Sequence, residues 1–403
     1  MKILVVTQYF WPENFRINDL VLELKNRGHD ITVLTGLPNY PDGHIFNDYK
    51  ANPAEFMKYH SIPIIRVPII PRGTSNIKLL LNYVSFVLSA SIYGLFKLKN
   101  KSFDRVFVLQ ASPITSVLPA ILISKVKKAP IFMWIIDLWP ETLVSLGMAT
   151  NKVQLFLVEK LVRFIYQYCE MILIQSKAFH SSVVKYARKG VKIRYFPSWS
   201  EPMFNSKFTN TCPEMLPFKD KFKIVFAGNI GVAQDFPAIL DAAELLKNYK
   251  KIAWIIIGSG RMKDYVENEI HIRGLEENVY LIGRYPLEMM PVFFAEADAL
   301  LVTLKESPIG DLTIPGKLQA YLASGVPILG MMNGEGAKVI KESGAGLVAS
   351  AGNGIELANK VKCLEMLDEV ALKQLGENGK MYCHENFNRD SLISNLEHWL
   401  ENV

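Results

Sequence analysis

The chain has 403 residues, half of them apolar and 21% charged, with no low-complexity tract; this suits two folded domains and excludes a disordered or fibrous chain. Its four cysteines (Cys169, Cys212, Cys363, Cys383) are scattered without Cys-x-x-Cys spacing, which argues against a zinc site or disulfide scaffold and fits a reducing cytoplasm. The net charge of +6 is split: residues 1–198 hold 25 Lys and Arg against 12 Asp and Glu, and 199–403 hold 20 against 27.

The first element is an apolar run, Ile3 to Val6, after Lys2. It is too short for the apolar stretch of a signal peptide, so it reads as a buried strand and no secretory leader is expected. Asn18–Arg27 carries Leu20, Val21 and Leu24 at helical spacing, and Gly28 is placed to end that helix. Strands are predicted at Ile31–Leu34, Arg105–Leu109 and Ile131–Ile136, and Met171–Ile174 follows an amphipathic helix from Gln154 to Cys169. The pattern then restarts with strands at Phe222–Ala227, Trp254–Ile257, Val279–Ile282, Ala299–Leu304 and Val326–Leu329. Helices are predicted between them at Ala238–Leu246 and Asp264–Ile272. Alternating strands and helices build parallel sheets covered on both faces, so the fold class is α/β with two Rossmann-like domains. Pro197, Pro202, Pro213 and Pro217 punctuate a linker over 197–217. The domains are therefore expected at 1–198 and 199–385, with a last helix over 386–403.

In such sheets ligands bind beyond the C-terminal strand ends. Gly228-Asn-Ile-Gly231, Gly258-Ser-Gly260 and Gly283-Arg284 each follow a predicted strand of the second half, where small residues let backbone N–H groups approach a diphosphate. Thr313-Ile-Pro-Gly-Lys317 precedes a helical segment, Leu318–Ala323. Pro315 suits a first helical turn, free N–H groups near Gly316 and Lys317 make an anion site, and Lys317 adds a point charge. Any one of the turns at Gly228–Gly231, Gly258–Gly260 and Thr313–Lys317 alone reads as an ordinary strand-to-helix connection; the three on the same face of one sheet point to phosphate. In the first half Asp137, within Asp-Leu-Trp-Pro-Glu141, ends a strand. It suits a general base, a sugar-hydroxyl partner or a helix N-cap. The loops Trp11-Pro-Glu13-Asn14-Phe15 and Asn39-Tyr-Pro-Asp42 mix aromatic faces with amide and carboxylate groups, the means by which sugars are gripped. There is no GxSxG, HExxH, Walker A, intact GxGxxG or Asp-x-Asp, and the histidines do not cluster, so no metal site is expected.

Taken in order, these segments, together with Val5–Phe10, Thr35–Pro41, Ser112-Pro113 and Pro315–Tyr321, resemble the family 4 retaining glycosyltransferases over nearly the whole chain. The likeness is closest to the WbuB-type branch of bacterial O-antigen and capsule enzymes, described as N-acetyl-L-fucosamine transferases. The resemblance implies a GT-B fold, with two domains facing across a cleft and a C-terminal helix, Asp390–Leu400, returning to the first. It implies metal-independent transfer with retention, from a UDP-sugar to a lipid-diphosphate-linked saccharide, with no other cofactor. Asp137 and Lys317 would then be catalytic. Gly228, Asn229, Ile230, Gly258, Gly260, Arg261, Gly283, Arg284, Pro315 and Gly316 would hold the donor, and Trp11, Glu13, Asn14 and Glu141 would face the acceptor. Two departures stand out. Asn229 and Gln234 occupy places where family members carry Arg and Lys, and the Glu-x7-Glu pair is missing near Leu312 and Ala320, leaving Glu306, Asp311 or Glu335 to substitute. Two readings on the same fold stay open, a UDP-sugar 2-epimerase and a non-catalytic member of an assembly complex. A dehydrogenase is disfavoured because no intact GxGxxG follows Val6.

Leu79–Phe96 is uncharged and flanked by Lys78, Lys97, Lys99 and Lys101. Its length approaches a membrane span, but Asn82, Ser85, Ser89, Ser91 and Gly94 dilute it, and it lies between strands of one domain. It reads as a helix partly in the core and partly touching a membrane. A basic half without any nucleic-acid-reading signature favours an anionic bilayer over nucleic acid. A peripheral position at the inner face of the cell membrane, meeting a polyprenyl-diphosphate acceptor, is the corresponding expectation.

Overall fold

The computed structural model describes residues 1–73, 75–145, 147–148, 151–205 and 212–402. The chain divides into two compact units, Met1–Pro197 with Asp390–Val403, and Ser198–Arg389.

The first unit is built on eight strands: β1 (Lys2–Val6), β2 (Asp30–Gly36), β3 (Lys58–Tyr59), β4 (Ile62–Val67), β5 (Arg105–Gln110), β6 (Ile131–Ile135), β7 (Cys169–Ile174) and β8 (Lys192–Tyr195). Their order is β3-β4-β2-β1-β5-β6-β7-β8, parallel except for the β3–β4 pair. The connecting helices are α1 (Arg16–Asn26), α2 (Asn47–Ala51), α3 (Asn76–Lys97), α4 (Leu118–Lys127), α5 (Glu141–Ser145), α6 (Lys152–Tyr166) and α7 (Phe179–Tyr186). The central strands are buried along nearly their whole length, β1 through Ile3–Val6 and β6 through Ile131–Ile135, as a sheet covered on both faces requires.

The second unit holds six parallel strands: β9 (Phe222–Ala227), β10 (Ile252–Ile257), β11 (Val279–Gly283), β12 (Ala299–Thr303), β13 (Ile328–Met331) and β14 (Gly346–Ala349). They run in the order β11-β10-β9-β12-β13-β14. Its helices are α8 (Phe236–Leu245), α9 (Lys263–Arg273), α10 (Met290–Ala295), α11 (Pro308–Leu312), α12 (Leu318–Ser324), α13 (Gly334–Ser343), α14 (Gly354–Glu365) and α15 (Glu369–Asn386). Chain order reverses between β1 and β5 in one sheet and between β9 and β12 in the other, the switch points where such sheets take ligands. The last helix, α16 (Arg389–Glu401), lies in the first unit. Glu397 accepts from Arg27 at 2.7 Å and pairs with His29 at 2.8 Å, while Arg105 Nε donates to the Leu400 carbonyl at 2.6 Å.

Several expectations need correction. The described residues on either side of 206–211 in the expected linker are anchored: Phe204, Cys212 and Met215, with Phe218 just after them, are buried in the core of the second unit. The prolines there open short 3-10 turns, Pro202–Asn205 and Pro213–Phe218, between apolar residues that anchor the segment. The helix expected to reach Cys169 stops at Tyr166, and Cys169 opens β7, where its thiol is wholly buried. The strand expected to begin at Val326 starts two residues later, at Ile328.

Helix α3 links β4 to β5, so both its ends return to one sheet. Its Ser75 cap accepts from the Lys78 N–H at 3.3 Å. Phe86 and Ala90 are buried, whereas Ile77, Ile92 and Phe96 are at least 70% exposed, with Leu80, Leu81, Val84 and Leu88 beside them. The helix thus buries one narrow face, Asn82, Phe86, Ala90 and Gly94, and leaves the wider, apolar face bare; it is long and apolar enough to cross a membrane, with 22% of it buried.

Candidate functional site

In the second unit the turns after β9, β10 and β11 interlock. Gly228 N–H donates to the Ile257 carbonyl at 2.9 Å, Ile230 N–H to Ser259 at 2.9 Å, and Gly258 N–H to Gly283 at 2.8 Å. A Cβ at Gly258 would sit 1.8 Å from the Gly228 carbonyl oxygen, and one at Gly260 2.3 Å from that of Ile230. Glycine is required because two backbones touch. The close fit also corrects the sequence reading, since the amides of Gly228, Ile230 and Gly258 are spent on the Ile257, Ser259 and Gly283 carbonyls. Ile230 is fully buried, and its carbonyl accepts from Met262 at 3.0 Å, so it ties two loops together and has nothing left for a ligand. Among the described residues the amides of Asn229, Gly260 and Arg261 make no hydrogen bond, and these are the donors the turns leave over. The Arg261 and Arg284 side chains are exposed at the same strand ends, with no carboxylate partner among the described residues.

Lys317 lies at the switch point. Its stem is half-buried, but its Nζ is shut off from solvent and has no hydrogen-bond partner. The ammonium rests 3.7 Å from the centre of the Phe226 ring and faces Gly228, where a Cβ would come within 2.8 Å of it. Burial alone pulls its pKa down to about 7. The ring face recovers part of the lost hydration; an anion would supply the rest. Tyr321 fixes the strand beneath, accepting from Ala227 N–H at 3.0 Å and lying 3.3 Å from the same residue's carbonyl. Pro315 does not open a helix as expected, because α12 begins only at Leu318, with Lys317 as its cap residue. Pro315 instead heads a turn whose carbonyl takes the Leu318 N–H at 2.9 Å. Gly316 is exposed at its tip. Sequence reasoning missed Gln319. It is buried, and its amide nitrogen, turned inward, reaches the Gly316 and Pro315 carbonyls at 3.2 and 3.3 Å. Of the candidate substitutes for the missing carboxylates, Glu306 is exposed after β12, and Asp311 presses its backbone on Gly334, beside Glu335 at the start of α13.

In the first unit the strand-end loops carry side chains instead of gaps. Each holds one cis X–Pro bond: Trp11-Pro12, Tyr40-Pro41, Ser112-Pro113 and Trp139-Pro140. Glu13, expected to face an acceptor, is buried at 2% exposure and turned inward. Its carboxylate accepts from the N–H groups of Asn39 (2.8 Å), Tyr40 (2.7 Å) and Phe10 (3.1 Å). Burial pushes it up to about 7 against those three bonds. Trp11 is likewise occupied, packed on Phe56 and Tyr59 at 5.1 and 5.5 Å. Asn14 is exposed. One Glu141 oxygen is buried without a partner near the core hydroxyl of Tyr166, at the start of α5. Asp137 is the available carboxylate: Oδ2 accepts from Ser112 N–H at 2.7 Å, and Oδ1 has no partner among the described residues. Two further residues join it that the sequence reading passed over. Arg72 stacks over Tyr40 at 5.3 Å and lies beside the Tyr9 hydroxyl, and Tyr83 lies within electrostatic reach of both Arg72 and Asp137. They come from an irregular segment and from α3, where no motif marks them.

Among the described residues no three His, Cys, Asp or Glu side chains group as a metal site.

A parallel sheet with closely packed glycine turns at its strand ends, and a buried, unpaired cation against the first of them, is a Rossmann-like domain with its ligand side at the switch point. Residues 210–382, less than half of the chain, match the family model described as Glycosyl transferases group 1. WbjE of Pseudomonas aeruginosa, named as a glycosyltransferase, is 28% identical over 261 residues, 61% of this chain and 62% of that protein. WcaI of Escherichia coli K12, named as a glycosyl transferase of colanic acid biosynthesis, is 26% identical over 346 residues, 81% of this chain and 82% of that protein. The chain therefore spans somewhat under two thirds of the first relative and about four fifths of the second. The crystal structure of HepE from Anabaena in complex with UDP covers 100% of both chains at a TM-score of 0.70 and 15% identity, which gives the chain the GT-B fold.

Proposed function

We propose that the chain moves a sugar from a UDP-sugar to a lipid-diphosphate-linked saccharide, with retention, in the assembly of a bacterial surface polysaccharide such as O-antigen or capsule. The observation that carries the donor half is Lys317, a buried ammonium with no partner facing a glycine turn. Buried charges are ordinarily paired, so the missing partner is read as the anionic part of a ligand. UDP is the ligand found with HepE, and polysaccharide assembly accords with the name of WcaI. When the sugar leaves, charge grows on the diphosphate. Lys317, the free amides of Asn229, Gly260 and Arg261, and the Arg261 guanidinium would stabilise it without a divalent cation. Asp137, with one free oxygen, would hold or deprotonate the acceptor hydroxyl. An N-acetylated sugar such as N-acetyl-L-fucosamine is the donor sugar to try first.

The acceptor half rests on the first unit. Its net charge of +10, from 25 Lys and Arg against 15 Asp and Glu with the returning helix included, and the bare apolar face of α3 suit the inner face of an anionic bilayer, with each Lys or Arg near the surface contributing about 1 kcal/mol. Two measurements test the reading. Turnover of UDP-sugars is followed with and without a polyprenyl-diphosphate saccharide in chelator; release of UDP that needs the acceptor and survives chelation is expected. Epimerisation without acceptor, or recovery of activity only on adding Mg²⁺ or Mn²⁺, would count against it. Flotation with anionic vesicles at low salt and release at high salt is expected, and should be lost when Lys97, Lys99 and Lys101 are all changed to Glu.

A further inference from the structure

The segment after β4, Pro68–Arg72, lies along α3, and the seam between them is polar at one end and apolar at the other. In its middle Ile70 N–H donates to Ser85 Oγ at 2.9 Å, and Asn82 Nδ2 donates to the Ile70 carbonyl at 2.6 Å. Gln8 of the β1 loop holds Asn82 in turn, at 2.7 Å. Arg72 ends the segment, and Tyr83 of α3 lies within electrostatic reach of both Arg72 and Asp137. Toward the apolar end, Pro68, Ile69, Ile70, Leu88, Ile92 and Tyr93 enclose an open groove of about 580 Å³. Leu88 and Ile92 are 57% and 72% exposed and continue into the bare face of α3. Among the described residues Arg72 has no carboxylate partner, only the Tyr40 ring and the Tyr9 hydroxyl.

We infer that this seam seats the lipid-diphosphate part of the acceptor: the first isoprene units in the Pro68–Tyr93 groove and the diphosphate at Arg72, with the sugar toward Asp137. The inference rests on the lipid-linked reading of the acceptor given above. Three features of the molecule select that occupant. The groove has room for a few isoprene units, its walls are almost wholly apolar, and an aliphatic chain buried there gains about 25 cal/mol per Å². A guanidinium that lacks a counterion stands two residues beyond the last groove residue of the same segment, the charge a diphosphate needs. The groove opens along the uncovered apolar side of α3, so a long chain can leave it without crossing polar surface. A soluble saccharide would use the polar end and leave the groove empty.

The test is equilibrium binding to the whole chain with UDP at saturation, which occupies the second unit. The probes are farnesyl diphosphate, inorganic diphosphate and farnesol. Farnesyl diphosphate should bind at least about tenfold more tightly than inorganic diphosphate. Changing Leu88→Ser and Ile92→Ser together should remove most of that gain; both residues are exposed, so the fold should tolerate the change. Arg72→Gln should bring farnesyl diphosphate down to the affinity of farnesol. In the wild-type chain a benzophenone-bearing farnesyl diphosphate should crosslink within 68–70 or 88–93. Equal affinity for the two diphosphates, a gain that survives the double change, or crosslinks elsewhere would overturn the inference. So would a double variant that loses vesicle flotation while farnesyl diphosphate fails to bind the wild type, because the groove would then be bilayer contact. A separate titration of the chain with UDP reports the donor half. Binding of UDP without farnesyl diphosphate removes the groove and leaves the transfer reading standing, and the reverse removes the donor half and leaves the groove.

Discussion

Each unit buries, at the C-terminal end of its sheet, an ionisable group that burial drives toward neutrality. Glu13 is pushed up to about 7 and Lys317 is pulled down to about 7. Their surroundings are opposite. Three backbone N–H groups from two loops converge on Glu13, whereas nothing but a ring face meets the Lys317 ammonium. A perturbed pKa marks a candidate site in either case, yet only the hydrogen-bond partners tell a strut from a binding group. Glu13 knits the β1 and β2 loops and is complete as it stands. Lys317 is incomplete, and what would complete it is an anion.

The largest effect expected from this contrast is on turnover. Lys317→Ala should lower kcat by about 10²–10³-fold and raise KM far less, because the lost charge acts on the leaving diphosphate as it forms. Steady-state kinetics with a UDP-sugar and a lipid-diphosphate acceptor measure it, and a kcat within about threefold of wild type would mean that the orphaned cation does not serve the leaving group. Glu13→Ala should do the converse. Removing the carboxylate strands three buried N–H groups, which should destabilise the first unit by about 3 kcal/mol while leaving the dissociation constant for UDP unchanged. Denaturant unfolding and UDP titration decide it. A variant of normal stability with collapsed kcat would place Glu13 in catalysis and erase the contrast.

That contrast was only half legible beforehand. The strand–helix alternation is written in apolar periodicity, and β9 runs over the very residues the pattern predicts, Phe222–Ala227. The glycine turns were visible too, since a glycine after an apolar run advertises a close approach. Which backbone groups that approach consumes depends on register between loops, as at Gly228, Ile230 and Gly258, and register between distant loops leaves no local trace. For the same reason Glu13 looked like a ligand: an acid among aromatic residues reads alike whether it points in or out. Arg72 and Tyr83 were passed over because a single cation after a strand and a tyrosine inside an apolar helix carry no spacing signal; only the fold brings them to Asp137.

Stability against pH should separate the two groups next. Glu13 titrates near 7 in the folded chain and at 4.5 ordinarily. Between those values the folded state holds the extra proton, so this contribution to stability falls as pH rises from about 4.5 to 7. Lys317 titrates near 7 folded against 10.5 ordinarily. There the unfolded chain holds the extra proton, so stability rises from about pH 7 to 10.5. Each change is a few kcal/mol at most. Lys317→Met should abolish the alkaline rise and Glu13→Gln the acid-side fall, each leaving the other in place; a rise that persists in Lys317→Met would mean another group is responsible.

The smallest expected signal is the most specific. Lys317, with a pKa of about 7, is the unpaired ammonium in a large share of molecules near pH 7 and mostly a neutral amine at pH 8. A diphosphate brought against it favours the charged form and raises the pKa by opposing the desolvation that lowered it. Binding of UDP at pH 8 should therefore take up close to one proton, ~0.8 per site. Titration calorimetry in buffers of differing ionisation enthalpy reads this as the slope of observed heat against buffer enthalpy. At pH 6 the lysine is already charged and the uptake from this source should vanish. Lys317→Met should bind UDP more weakly and show no uptake at pH 8. Because Glu13 lies in the other unit with its three donors, Glu13→Gln should leave the uptake unchanged. Uptake that persists without Lys317, or disappears without Glu13, would reverse the roles given to the two buried charges.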